Sequence, residues 1–175
     1  VLFKPYLRDT ILSIAEQGLY RPLWSTDVME ELDRNLRKRG ATAQQVHHLR
    51  EQMGSTFPEA EVTGYADLID VMTNDPKDRH VLAAAIRGGA EVLVTENLKD
   101  FPASSVQPYD IEIVHQDGFL LDQLDLSPHT VHRALRTQVS RYRRPPGCVG
   151  ELLDILGNDG HRCGKFADEC RRLVV

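Results

Sequence analysis

The chain has 175 residues, 41% apolar and 27% charged, with a formal charge of −5. That length suits one domain, or one domain with a helical annex, and can bury a core without disulfides or a structural metal. The negative balance argues against a protein that simply coats nucleic acid, though not against an enzyme that touches it through a local basic patch. No apolar run approaches the ~18 residues of a membrane span. Lys4, Arg8 and Asp9 interrupt the first apolar stretch, so no signal peptide is expected. Cys148, Cys163 and Cys170 all fall in the last thirty residues. An odd set of this kind is no disulfide framework and points to a reducing, cytoplasmic setting.

In chain order, Leu7, Ile11, Ile14 and Ala15 predict a helix from Arg8 to Gly18, and Leu19–Trp24 reads as a short strand. Ser25 stands where an N-cap belongs. The helix behind it carries Val28, Leu32 and Leu36 on one stripe and ends in Arg37, Lys38, Arg39 and Gly40. Thr42 to Gln45 has the capping-box form, and Val46, Leu49 and Met53 continue that helix. Val62–Met72 is mixed and is read as helix. Asn74–Lys77 is a turn, Asp78 can cap a helix from Arg79 to Arg87, and Gly88-Gly89 ends it. Glu91–Thr95 and Asp110–His115 are predicted strands. After Gln116 everything reads helical, with a Ser127-Pro128 start, a Pro145-Pro146-Gly147 break, a helix Val149–Leu156, and a final stripe of Cys163, Phe166, Ala167, Cys170 and Leu173. Alternating strands and helices up to about His115 argue for a parallel sheet with crossover helices; the remainder is a helical annex.

Sites in open α/β sheets form at the carboxyl edge, where strands end and the following helices begin. Three acids occupy such positions. Glu31 lies in the second turn of the helix after Trp24, Asp78 starts the helix before Glu91–Thr95, and Asp100 follows that strand, with Asn97 between. Each has a plain alternative: Asp78 as an N-cap, Glu31 as a solvated helix residue beside Glu30, Asp100 as the close of an Asn-Leu-Lys-Asp turn. Convergence from three elements favours a joint role. Clustered carboxylates repel one another, and a hard divalent cation, Mg²⁺ or Mn²⁺, relieves that repulsion.

The segments W-S-T-D-V-M-E-E-L (Trp24–Leu32), D-P-K-D-R-H-V-L-A-A-A-I (Asp75–Ile86) and V-L-V-T-E-N-L-K-D-F-P (Val92–Pro102) resemble the motifs of the PIN-domain family, over about Val1–Leu124. The nearest subgroup is that of VapC-like proteins with a helical C-terminus. The resemblance implies a three-layer α/β/α domain over residues 1–124 with a mostly parallel central sheet, and a helical extension over 125–175. It implies a Mg²⁺- or Mn²⁺-dependent endoribonuclease, the toxin of a bacterial toxin–antitoxin pair, restrained by a small antitoxin and often dimeric. By position, Glu31, Asp78 and Asp100 match the family's acids, with Asp75 and Asn97 as secondary site residues. The family also opens with a strand ending in aspartate. This chain begins at Val1-Leu2-Phe3, just past that position, and Asp9 is too far along to replace it. The first strand is therefore expected to be missing. Either the natural start lies upstream, or the chain is a weak variant whose gap is closed by strand rearrangement or a second chain.

The rival is a PIN-like module that binds RNA or protein without cutting. A phosphatase or response-regulator-like domain would need an aspartate at the first strand's end. Arg133, Arg136, Arg141, Arg143 and Arg144 make the helix before Pro145 basic, which reads as a solvated face ahead of a phosphate contact. The spacing of His161, Cys163 and Cys170 fits no common zinc site. His80 is equally suited to a phosphate contact or to packing.

Overall fold

The computed structural model describes residues 1–173. In chain order the elements are α1 (Pro5–Glu16), β1 (Trp24–Ser25), α2 (Thr26–Lys38), α3 (Ala43–Thr56), β2 (Glu61–Val62), α4 (Ala66–Ile69), α5 (Arg79–Gly88), β3 (Val92–Val94), α6 (Ala103–Val106), β4 (Glu112–Val114), α7 (Gln116–Leu126), α8 (Pro128–Ser140), α9 (Val149–Gly157) and α10 (Gly164–Arg172). Short 3₁₀ turns at Pro76–Asp78, Leu98–Asp100 and Gln107–Tyr109 connect them. The fold is α/β with small parallel sheets, heavily weighted to helix. Among the described residues no helix is long and apolar enough to cross a membrane.

The chain forms two compact units. One runs from Pro22 to Val114; the other joins Val1–Arg21 to the chain from His115 onward. In the first, β1 pairs parallel with β2 in the register Trp24↔Glu61 and Ser25↔Val62. Likewise β3 pairs parallel with β4, Val92↔Glu112 through Val94↔Val114. Parallel neighbours need crossovers. Helices α2 and α3 supply the first, and α6 lies in the second. The expected single central sheet is not assembled among the described residues: the strands stand as two separate pairs.

Several local expectations hold. Ser25 Oγ accepts from Val28 N–H at 3.3 Å. Thr42 and Gln45 make both bonds of the capping box, 3.2 and 2.9 Å. Gly89 closes α5 at φ +64°, a backbone that glycine adopts without penalty. Two expectations fail. Leu19–Trp24 is not a strand: only Trp24 and Ser25 pair. Pro22 has no N–H to offer, and the partner strand is itself two residues long. The helix read over Val62–Met72 is instead the end of β2 followed by the four-residue α4, because Gly64 at φ +69° turns the chain between them.

The core of this unit gathers Val62, Met72, Leu82, Ala83, Leu93, Phe101 and Ile111. Leu82 and Ala83 of α5 are fully buried, which pins the helix whose first turn carries the candidate site. The other unit packs α1 with α7–α10 around Leu7, Ile14, Leu120, Leu135, Leu152 and Phe166. Cys163 and Cys170 are buried in that core. Burial pushes the Cys170 thiol up to about 12, so it packs as a small neutral hydrophobe.

Leu82→Ala should lower unfolding stability by about 2–5 kcal/mol, since it empties a fully enclosed site. Urea unfolding followed by circular dichroism measures this.

Candidate functional site

The site is built on two loops. Asp75 N–H donates to the Asp100 carbonyl at 3.1 Å, stitching the turn ahead of α5 to the turn after β3. Each loop is shaped locally. The Asp75 carboxylate accepts from Lys77 N–H at 3.1 Å, and Pro76 sets the first 3₁₀ residue. In the second loop Asp100 N–H donates to the Asn97 carbonyl at 3.0 Å, and Asn97 N–H donates to Thr95 Oγ1 at 3.1 Å. Asn97 therefore shapes the turn through its backbone, and its side chain is exposed.

Asp78 does not cap α5: its side chain makes no cap hydrogen bond. The expected capping role is thus corrected. The 3₁₀ turn carries the chain into the helix, leaving backbone geometry to start it and the carboxylate unused. Asp78 Oδ2 is buried and has no hydrogen-bond partner among the described residues. Its carboxyl is held above the ordinary aspartate range, first by burial and then by the neighbouring charges of Asp100, Asp75 and Glu31, with Lys77 pulling the other way. Four carboxylates from α2 and the two loops therefore act on one another.

Asp100 does end the Asn97–Asp100 turn, but its side chain faces inward: the residue is only 6% exposed. Lys77 Nζ stands 3.3 Å from Asp100 Oδ2 and 3.8 Å from Asp75 Oδ2. The two carboxylates hold the Lys77 ammonium above its ordinary value, Asp100 most strongly. Lys77, which the motif reading passed over, is thus the counter-charge of the site. Its signal in the sequence was a lone cation between two of the predicted acids.

Glu31 is less enclosed. It shares an open depression of about 270 Å³ with Lys77, His80, Asp27 and Arg34. Arg34 lies 3.8 Å from Glu31 Oε1, and His80 Nε2 lies 3.7 Å from the same oxygen, too long for a hydrogen bond. His80 Nε2 is buried without a hydrogen-bond partner among the described residues. Asn74 was also missed. It is 3% exposed, and neither side-chain amide atom is hydrogen-bonded among the described residues. A buried amide left so is costly and is characteristic of ligand-facing positions. Its position before D-P-K made it look like an ordinary turn residue.

The donors are hard oxygens, the type Mg²⁺ and Mn²⁺ prefer; Asp78 Oδ2 and Asp100 Oδ2 are buried without a hydrogen-bond partner among the described residues, the latter with the Lys77 ammonium 3.3 Å away. As they stand, however, no three His, Cys, Asp or Glu groups among the described residues are disposed to hold a metal ion.

The PIN-domain family model matches residues 3–99, and a model described as the VapC50 C-terminal domain matches residues 116–172. The chain is similar to a Mycobacterium tuberculosis protein named "Putative ribonuclease VapC50", 49% identical over 110 residues. That match covers 63% of this chain and 63% of the relative, so the chain spans less than two thirds of the relative's length. No solved structure matches.

The raised Asp78 carboxyl has a consequence for stability. Its folded value lies above its unfolded one, so the stabilisation it lends is complete below the ordinary aspartate value. It is lost as pH rises through the folded value. Asp78→Asn should therefore unfold at higher urea than the parent at neutral pH, with the gap closing on acidification toward pH ~4. Urea midpoints across that range test it; a gap independent of pH would refute the assignment.

Proposed function

This chain belongs to the PIN-domain family, and on that premise we propose that it is a metal-dependent endoribonuclease, the cytoplasmic toxin of a bacterial toxin–antitoxin pair. The observation that carries the reading is the unpartnered Asp78 oxygen among three further carboxylates. Structural ion-pair networks satisfy their oxygens; this one leaves a buried acceptor without a partner among the described residues. The name of the Mycobacterium relative supports the choice of RNA as substrate.

Glu31, Asp78 and Asp100 would hold Mg²⁺ or Mn²⁺, with Asp75 and Asn97 shaping the two loops. When bound, a divalent ion supplies Lewis-acid stabilisation of phosphate charge and activation of water. Lys77 neutralises Asp75 and Asp100 without it. Its side chain is 63% exposed, free to leave the carboxylates for a phosphodiester oxygen. Asn74 and His80 are placed to hydrogen-bond what enters beside them.

The family resemblance implies one more carboxylate, at the end of a first strand. Strands β1 and β3 each pair on one side only among the described residues. Open ladder edges are costly to bury. We assign to that gap a strand ending in aspartate, from residues ahead of Val1 or from a second copy of the chain. It would join the two pairs into one central sheet of a three-layer domain over residues 1–124, with 125–175 as an accessory helical extension. A small antitoxin protein would restrain the enzyme.

Incubation of several RNAs with Mn²⁺ should give cleavage by a chain extended upstream with an aspartate-ended strand. Glu31→Gln, Asp78→Asn and Asp100→Asn should each lower the rate by about 100-fold or more. Saturable Mn²⁺ binding by calorimetry should disappear in Asp78→Asn. If the extended protein cuts nothing and binds RNA indifferently to metal, the chain is a binding module instead. If the unextended chain fills its own gap by exchange, light scattering should show a dimer; a monomer with a closed sheet would rule that out.

A further inference from the structure

We propose that the helical unit carries an RNA-binding cleft of its own, in which Tyr6, Tyr142, Arg143 and Arg144 grip one unstacked base and its flanking phosphates. The choice of RNA rests on the ribonuclease reading; the existence of the cleft does not.

The basic residues before Pro145 do not form one helix face: Arg133 and Arg136 lie on α8, and the other three follow it. Helix α8 ends at Ser140, and Arg143 and Arg144 follow it in an irregular segment. Arg141 is engaged, with both terminal nitrogens on Glu16 at 3.0 and 2.6 Å. Arg143 and Arg144 are exposed and make no ion pair among the described residues. Both line an open cleft of about 410 Å³ with Pro5, Tyr6, Asp9, Tyr142 and Pro145. That volume falls within the ~300–1,000 Å³ typical of small-ligand clefts. The walls are mainly apolar and aromatic; the rim is cationic.

The aromatic wall is rigid. Tyr6 and Tyr142 meet edge to face, centroids 5.7 Å apart at 88°. Gln138, 2% exposed, donates to Tyr142 Oη at 2.8 Å and to the Tyr6 carbonyl at 3.1 Å, and buried Thr10 donates to Gln138 Oε1 at 3.0 Å. Tyr142 Oη also donates to Asp9 at 3.1 Å. Asp9 is the one acid in the lining, and its charge is already shared with Arg8 at 3.2 Å. A planar ring held this way stacks a base without losing side-chain freedom, and paired guanidinium groups suit phosphates.

Charge distribution favours such a cleft on the helical unit. Residues 22–114, which hold the carboxylates, carry sixteen Asp and Glu against nine Lys and Arg, a net −7. The helical unit carries ten against twelve, a net +2. A polyanion therefore meets a more favourable net charge on the helical unit than on the unit that holds the carboxylates. An acidic peptide would satisfy the arginines but would leave the aromatic wall unused.

The test is binding of a short fluorescein-labelled single-stranded RNA to the full chain in EDTA, read by anisotropy across a salt series. Arg143→Gln/Arg144→Gln should weaken binding roughly tenfold and make the slope of log K against log salt shallower by about 1.4, ~0.7 for each phosphate that is no longer neutralised. An unchanged slope overturns the proposal. So does an equal change per residue from Arg136→Gln, an exposed arginine outside the cleft. In the parent protein, a 2-aminopurine base in the RNA should be quenched on binding, and Tyr142→Leu should remove the quenching. Absence of quenching in the parent overturns the stacking claim even where the variant fails to fold. Equal displacement of the RNA by an acidic peptide would reassign the cleft to a protein segment. Because EDTA excludes cleavage, a protein that binds this way but never cuts would sink the ribonuclease reading and leave the cleft standing.

Discussion

One backbone hydrogen bond, from Asp75 N–H to the Asp100 carbonyl, organises the acidic unit. It joins two loops that are 25 residues apart in the chain and brings together side chains that would otherwise repel. Burial first, and then the charges of Asp100, Asp75 and Glu31, hold the Asp78 carboxyl up, with the Lys77 ammonium pulling the other way. The repulsion is tolerated because the scaffold beneath is stiff: α5 is locked by the fully buried Leu82 and Ala83, and Phe101 and Ile111 anchor the chain after the second loop. Packing holds the loops, and the loops hold the charges.

That arrangement leaves several buried polar atoms unpaired among the described residues. Asp78 Oδ2, both amide atoms of Asn74 and Nε2 of His80 are buried and lack hydrogen-bond partners among the described residues, all within a short stretch of sequence. Polar groups in a finished core are paired. A concentration of unpaired ones beside a polar depression marks a surface completed by something other than its own side chains. Lys77 is a provisional answer: exposed, flexible and held by two carboxylates, it neutralises the loops without closing them off.

The helical unit solves a different problem. Its core is assembled from the two ends of the described chain, with α1 packed into α7–α10. Thr10, Gln138, Tyr142 and Asp9 form one connected network under the Tyr6–Tyr142 pair. Such a network fixes side-chain geometry. Arg143 and Arg144 line the cleft without an ion pair among the described residues, while Arg141 is held by Glu16.

The sequence by itself determined what local chemistry dictates. The Ser25 cap, the Thr42–Gln45 box, the Gly89 stop and the two parallel-strand segments at Val92 and Glu112 all follow from short-range steric and hydrogen-bonding rules, and all were legible. Glu31, Asp78 and Asp100 were read onto one sheet edge from the handedness of β-α-β crossovers, but among the described residues no three such groups are disposed to hold a metal ion. Tertiary structure decided the rest. Leu19–Trp24 has strand-like composition, but a strand needs a partner ladder, and only two residues opposite supply one. Arg143 and Arg144 look like part of a basic helix until the helix ends at Ser140 and turns them onto a cleft. Asp78 has the sequence of a cap, yet a 3₁₀ turn bypasses it and frees its carboxylate. Three acids read as one candidate site from the sequence. What the packing added was the Lys77 counter-charge and the orphaned Asp78 oxygen, since neither can be defined before the loops have met.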